Sequence, residues 1–180
     1  DVSIVIVNYK SWSDLKNCLK SLKKVTSKKL SLEILVVDNF SNDGKIKEVS
    51  NVFKNIIFIQ NSGNNGFANG CNVGAKHSKG EFLFFLNPDT IVSEKAIEEL
   101  FLTAKNNPDF GIVSCNQKNL EGKEEEKIRV FPKLITLFGV TKSFYRKVSA
   151  NYKEIINSKE NVIFPDWVSG SVVFISKTWF

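Results

Sequence analysis

Short β-branched runs that alternate with stretches of helical periodicity constrain this chain more than any other feature. The strand-like runs are VSIVIV (2–7), EILVVD (33–38), IIFI (56–59), FLFFL (82–86) and FGIVSC (110–115). After the first run, Leu15, Leu19 and Leu22 recur on one face of a helix that Ser13 can cap. Ile46, Val49 and Phe53 mark a second helix. Ser93 opens another, with Ala96, Ile97, Leu100 and Ala104 inward and Asn106-Asn107-Pro108 stopping it. This order predicts an α/β fold, a mostly parallel central sheet with helices on both faces. Between the third and fourth runs lies NSGNNGFANGCNVGAKHSKG, a glycine- and asparagine-rich loop running into a helix. Past residue 115 the pattern weakens. GKEEEK (122–127) reads as a hairpin tip or surface loop, 131–160 as irregular helix with exposed lysines, and WVSGSVVFIS (167–176) as strand again. No repeat and no linker divides the 180 residues, so one domain is expected.

The composition narrows the function classes. No apolar run reaches the roughly 18 to 20 residues of a membrane span, and no secretory signal is visible. The chain starts on Asp1 with a strand pattern from Val2, which reads as an excised piece of a larger protein. Cys18, Cys71 and Cys115 lie far apart beside a single histidine; this argues against a zinc site or a disulfide framework and fits a reducing compartment. All three cysteines read as small core residues, and His77 as solvated. The net charge of +6 is mostly lysine, much of it in KNCLKSLKK and TSKK, and reads chiefly as solvated surface. Attraction to anionic lipid or to a phosphorylated substrate is a weaker alternative. No basic run is interleaved with aromatics, so nucleic acid is not an expected partner.

In an open parallel sheet, ligands bind outside the carboxyl ends of the strands. Here those ends carry Asn8 and Tyr9, then Asp38, Asn39 and Ser41, then Asn61 to Gly66, then Asn87 and Asp89. Tyr9 offers a flat face to a base, Asp38 an acceptor for the imide N–H of uracil or thymine, and Asn39 and Ser41 further hydrogen bonds. Gly66 and Gly70 would let backbone approach a ligand, and the helix that follows presents unpaired N–H groups. No G-x-G-x-x-G and no G-K-[ST] occurs, which argues against dehydrogenase and ATPase readings. Asp89 beside a diphosphate would need a cation between them, and Mg²⁺ or Mn²⁺ suits that role. Taken alone, Asn87-Pro88-Asp89-Thr90 is better explained as a plain turn with an Asx-type hydrogen bond.

The ordered set VSIVIVNY, VVDNFSNDG, NSGNNGFANGCNVG, LNPDT and WVSGSVVFIS resembles glycosyltransferase family 2, the inverting nucleotide-sugar transferases of GT-A fold, in its rhamnosyltransferase-like branch. The resemblance spans Val2 to Phe180 and reverses the preference for a plain turn at Asp89. It implies a donor site formed by Val7, Asn8, Tyr9, Asp38, Asn39, Ser41, Asn65, Gly66, Phe67, Asn69, Asn87 and Asp89, with Asp89 the metal-binding carboxylate. Residues 1–116 would be the nucleotide-sugar-binding part and 117–180 the beginning of an acceptor-binding part. Trp167, Ser169 and Gly170 would lie on the acceptor side; for Trp167 a core position stands close behind stacking on the acceptor, and Gly170 also suits close packing. Asn87 replaces the first carboxylate of the family's D-x-D motif, a form common in that branch. The family's general base, an acidic pair, is expected beyond Phe180, so no catalytic base is assigned within the chain.

The resemblance implies transfer of a sugar from a UDP- or dTDP-sugar to a hydroxyl of a glycan or lipid-linked acceptor. The expected setting is bacterial surface-polysaccharide synthesis, cytoplasmic or peripheral on the inner membrane face. A non-catalytic nucleotide-sugar-binding domain is the alternative. A sugar-1-phosphate nucleotidyltransferase would need a basic glycine-rich loop where this chain has NYKSWSD.

Overall fold

Seven consecutive buried residues form the first strand, VSIVIVN, and the rest of the sheet is laid out around it. The computed structural model describes residues 1–25, 30–119, 121–123 and 164–180. The chain comprises two compact units, Asp1–Cys115 with Ser169–Phe180, and Asn116–Val168. The first holds β1 (Val2–Asn8), α1 (Trp12–Lys23), β2 (Leu32–Asp38), α2 (Lys45–Val52), β3 (Ile57–Gln60), α3 (Phe67–His77), β4 (Phe82–Leu86), α4 (Glu94–Asn106) and β5 (Val172–Ser176). The sheet order is β3-β2-β1-β4-β5. The first four strands are parallel, and β5 runs antiparallel to β4. The fold class is the expected one. The middle position belongs to β1, with β4 beside it. Residues 26–29, 124–127 and 131–160, for which the sequence suggested surface segments, lie outside the described residues.

Side-chain alternation along β1 sends Ile4 and Ile6 to one face and Val5 and Val7 to the other. Ile4 and Ile6 pack with Leu15 of α1, Val49 of α2 and Ile97 of α4. Val5 and Val7 pack with Cys71 and Ala75 of α3. The α3 contact is close because two glycines one helical turn apart face the strand. A Cβ on Gly70 would lie 2.6 Å from Val7 Cγ1, and one on Gly74 would lie 2.2 Å from Val5 Cγ1. Gly70 therefore serves the seating of α3 on β1, not the approach of backbone to a ligand.

Three further expectations need correction. Ser13 does not cap α1. The helix starts at Trp12, with Ser11 in the cap position and the Leu15 N–H donating to the Ser11 carbonyl at 2.9 Å. Starting there buries Trp12, whose indole N–H donates to Asp43 at 2.8 Å. FGIVSC is not a strand either: only Val113 pairs, as an isolated antiparallel bridge to Phe174. β5 already occupies the place beside β4, and the Ser114 hydroxyl takes the Val172 carbonyl at 2.7 Å. Cys18 and Cys71 are buried core residues as expected, but Cys115 is exposed. Ser93 does cap α4, its hydroxyl accepting from the Ala96 N–H.

The amino-terminal edge of the sheet is tied by Glu33. Its carboxylate accepts from the Ser3 hydroxyl and from the backbone N–H groups of Lys79 and Gly80. Partial burial pushes this carboxyl up, but those donors and the Lys79 charge outweigh it, and the net effect holds it below its ordinary value of 4.5. A depressed carboxylate contributes stability that is fully present above the unfolded value and is lost as pH falls through the folded one. Glu33→Gln is expected to cost about 1 kcal/mol at pH 7, discounted for partial exposure. Urea unfolding at pH 7 and pH 3.5 checks this. The deficit should shrink at the lower pH, and a deficit equal at both would refute the charge-based account.

Candidate functional site at the carboxyl ends of the strands

Strand order runs outward from β1 through β2 to β3, then returns to place β4 on the other side of β1. That reversal opens a crevice at the carboxyl ends of β1 and β4, where open α/β sheets bind ligands. In register, Asn8 lies opposite Asp38, and Asp38 opposite Gln60. The three strand tips are therefore level, and their side chains meet.

Asp38 is the hub of the first cluster and is only 1% exposed. Its Oδ1 accepts from Asn8 Nδ2 at 3.0 Å and from the Ser41 hydroxyl. Its Oδ2 accepts from the Ser41 N–H at 3.1 Å and from Gln60 Nε2 at 3.0 Å. Four donors fill the roughly four acceptor sites of a carboxylate. Only Gln60 among these partners is exposed. Asn8 is fully buried, and its Oδ1 receives no hydrogen bond from the described residues.

A chain of asparagines forms the second cluster. Asn61 Nδ2 donates to Asn39 Oδ1 and to Asn69 Oδ1, both at 2.9 Å. Asn39 Nδ2 donates to Asn64 Oδ1 at 2.7 Å and to the Gly66 carbonyl at 3.2 Å. The β2 tip, the β3 tip, the loop and α3 are thereby linked through the buried amides of Asn39 and Asn61. Gly66 sits at φ 85° in the cap position of α3 with no side-chain cap, so the first N–H groups of α3 are left for another acceptor. Asn65 and Phe67 beside it are exposed.

Around this buried framework stand exposed groups. Tyr9 is 46% exposed, and Lys10 Nζ lies 5.3 Å from its ring centroid. Asp89 is exposed on a turn closed by the Thr90 N–H to the Asn87 carbonyl at 3.2 Å. Turn and strand-end carboxylate are thus the same feature. The turn rests on α1: the Cys18 thiol donates to the Asn87 carbonyl at 3.9 Å. Burial, with the Asp89 charge adding to it, pushes that thiol up to about 12. Cys18 stays protonated and inert at neutral pH.

Val7 belongs to the core against α3 rather than to the rim surface. The Asn87 N–H donates to the Ser171 carbonyl at 3.1 Å, which ties the segment before β5 to the β4 tip; Ser169 and Ser171 share a hydrogen bond there. A Cβ on Gly170 would meet nothing within 4 Å, so close packing does not explain it. Trp167 is 44% exposed and is not a core residue. Gln60 went unrecognised in the sequence, although its place as the last residue of an apolar run puts it on the rim.

Among the described residues no three His, Cys, Asp or Glu side chains converge. That donor set does not make a protein cage for a metal. It fits an Mg²⁺- or Mn²⁺-type ion that takes one carboxylate from the protein and its remaining oxygens from substrate phosphates and water. No described helix is long and apolar enough to cross a membrane.

The family described as "Glycosyl transferase family 2" matches residues 3–166. The low-salt glycan biosynthesis hexosyltransferase Agl10 of Haloferax volcanii is 34% identical over 126 residues, 68% of this chain and 38% of that protein. S. aureus TarS (residues 1–349), solved in complex with UDP, superposes with a TM-score of 0.60 at 22% identity, covering 71% of this chain and 38% of the other. The mannosyltransferase PcManGT of Pyrobaculum calidifontis, solved with GDP-Man and Mn²⁺, gives 0.57 at 19% identity, covering 66% of this chain and 35% of the other. The chain thus spans under two fifths of the length of each of these proteins.

Proposed function

The chain belongs to glycosyl transferase family 2, and from that premise we propose that it carries the donor site of an inverting transferase. The enzyme would move a sugar from a UDP- or dTDP-sugar to a hydroxyl of a glycan or lipid-linked acceptor, in cell-surface polysaccharide synthesis. Its work would be done in the cytoplasm or at the inner face of the membrane. Its GT-A-type fold is shared with TarS and PcManGT. One observation carries the proposal: at a topological switch point the tips of β1, β2 and β3 join into a largely buried polar framework, and Tyr9 and Asp89 stand exposed on the ends of β1 and the neighbouring β4.

The residues divide the work. Tyr9 presents its ring to the base. A uracil or thymine imide N–H can take the place of the exposed Gln60 amide on Asp38 Oδ2, leaving the three other donors in place. The uncapped start of α3 and the Asn65–Asn69 segment that leads into it suit diphosphate and sugar oxygens. Asp89, with Asn87 beside it, would hold the divalent ion, which when bound neutralises charge on the diphosphate leaving group. Ser169 and Gly170 lie on the side of the rim assigned to the acceptor.

Calorimetry with UDP, dTDP and GDP, each with and without Mn²⁺, tests this. UDP or dTDP is expected to bind more tightly than GDP, and more tightly with the ion. Asp89→Ala should remove most of the metal-dependent gain, about tenfold in Kd, the size of one charge-assisted contact. Equal binding with and without Mn²⁺ would refute the assignment of Asp89.

A further inference from the structure

Backbone strain is concentrated at the tips of β1 and β2. Among the described residues three non-glycines have positive φ: Lys10 at 57°, Phe40 at 64° and Asn42 at 50°. Asparagine tolerates this region; for a bulky side chain it is an outlier, and such outliers cluster at ligand sites. Phe40 has the further peculiarity of its neighbours. Asn39 and Ser41 on either side of it are each 3% exposed, whereas Phe40 is 43% exposed. Its N–H donates to the Asp38 carbonyl at 2.8 Å, a tight turn that holds it in place. No ring pair among the described residues includes it.

The strand pairing places Phe40 and Tyr9 on neighbouring strand tips. The Asn39 N–H donates to the Asn8 carbonyl at 2.7 Å, and the Lys10 N–H to the Ser41 hydroxyl at 2.8 Å. These two bonds bracket Tyr9 on one strand and Phe40 on the other. Two half-exposed aromatic residues therefore stand just past the adjacent, level tips of β1 and β2, where Asn8 lies opposite Asp38. A polar or glycine residue would meet the demands of the turn with less strain and no exposed apolar surface.

We propose that Phe40 is a second aromatic wall of the donor site, packing with Tyr9 against the planar base of the nucleoside diphosphate. The inference rests on the donor-site reading above and adds an affinity-determining residue to it. Stacking on an aromatic ring is tolerant of base identity, so Phe40 sets affinity for the nucleoside portion, while Asp38 selects which base is held.

The test measures binding of UDP and of inorganic pyrophosphate, both with Mn²⁺, to the wild-type chain, Phe40→Asn, Phe40→Leu and Phe40→Tyr. Asparagine keeps the left-handed corner without the ring. Leucine keeps apolar bulk and the same strain without the flat face, and so serves if the asparagine variant fails to fold. The expected result is a Kd for UDP raised at least fivefold in the Asn and Leu variants, near wild type in the Tyr variant, with pyrophosphate binding unchanged in all. Wild-type affinity for UDP in both the Asn and Leu variants overturns the wall while leaving the donor site standing. Parallel loss of UDP and pyrophosphate also overturns it, since the change would then act on the fold of the rim. A wild-type chain that binds no nucleotide overturns both readings.

Discussion

Replacing Asp38 with asparagine is expected to lower the unfolding free energy by about 3 kcal/mol, the largest loss foreseen for any single exchange in the rim. The change is nearly isosteric, so packing contributes little. What alters is donor and acceptor count. The carboxylate accepts from Asn8, from the hydroxyl and N–H of Ser41, and from Gln60. An amide in its place turns one oxygen into an NH₂ group that meets donors at a residue 1% exposed. With the nitrogen on the Oδ2 side it meets the Ser41 N–H, a donor that cannot change role; on the Oδ1 side it meets Asn8 Nδ2 and the Ser41 hydroxyl, each of which must turn to present an acceptor. The exposed Gln60 can turn to water, whereas Asn8 and Ser41 cannot. Gln60→Ala should therefore cost well under 1 kcal/mol, and the pair of variants separates the buried part of the cluster from the exposed part. Urea denaturation of both checks the prediction, and a loss below 1 kcal/mol for Asp38→Asn would show that the rim is not held through this carboxylate.

Gly74→Ala is expected to destabilise by about 2 kcal/mol. Alanine is the better helix former by about 1 kcal/mol, so on an open helix face the exchange would stabilise. Here the added methyl would lie 2.2 Å from Val5 Cγ1, inside a strand buried on both faces. Val5 is held by its place in β1, and overpacking of this kind costs up to about 3 kcal/mol. Trimming the opposing side chain should relieve it. The double variant Val5→Ala, Gly74→Ala is expected to be more stable than the sum of the single losses by about 1 kcal/mol or more, measured as a double-mutant cycle. Simple additivity would mean that α3 moves away from the strand at little cost.

Much of the architecture could be read before the structure was known, because the parallel strands are apolar along their length and short. Phe82–Leu86 matched its predicted span, and Ser93 capped α4 as its spacing implied. FGIVSC failed for a reason local pattern cannot carry: the edge it would have joined is taken by a strand from about 60 residues further on, through the pairing of Phe84 with Phe174. The rim was legible as a set of strand-end polar residues, since parallel pairing aligns carboxyl ends by geometry. Which of those residues are buried was not. Nothing in the spelling of NSGNNG distinguishes Asn61, a buried hub, from the exposed Asn65. Gly70 looked like a ligand-facing glycine and proved to be a packing one, because its neighbour Val7 comes from a strand 63 positions earlier.

The strand at the middle of the sheet has a cost outside the native state. VSIVIVN has no charge, no proline and no glycine, and every one of its residues is buried between β2 and β4. A segment of that kind, once released, is a template for cross-β stacking with other copies of itself. The two flanking strands keep it from acting as one only while the sheet is closed. The persistence of this chain in solution is therefore governed by how often the sheet opens and how long it stays open. The residues that set the carboxyl-end rim and those that seat α3 are, by the same bonds, the chain's defence against self-association.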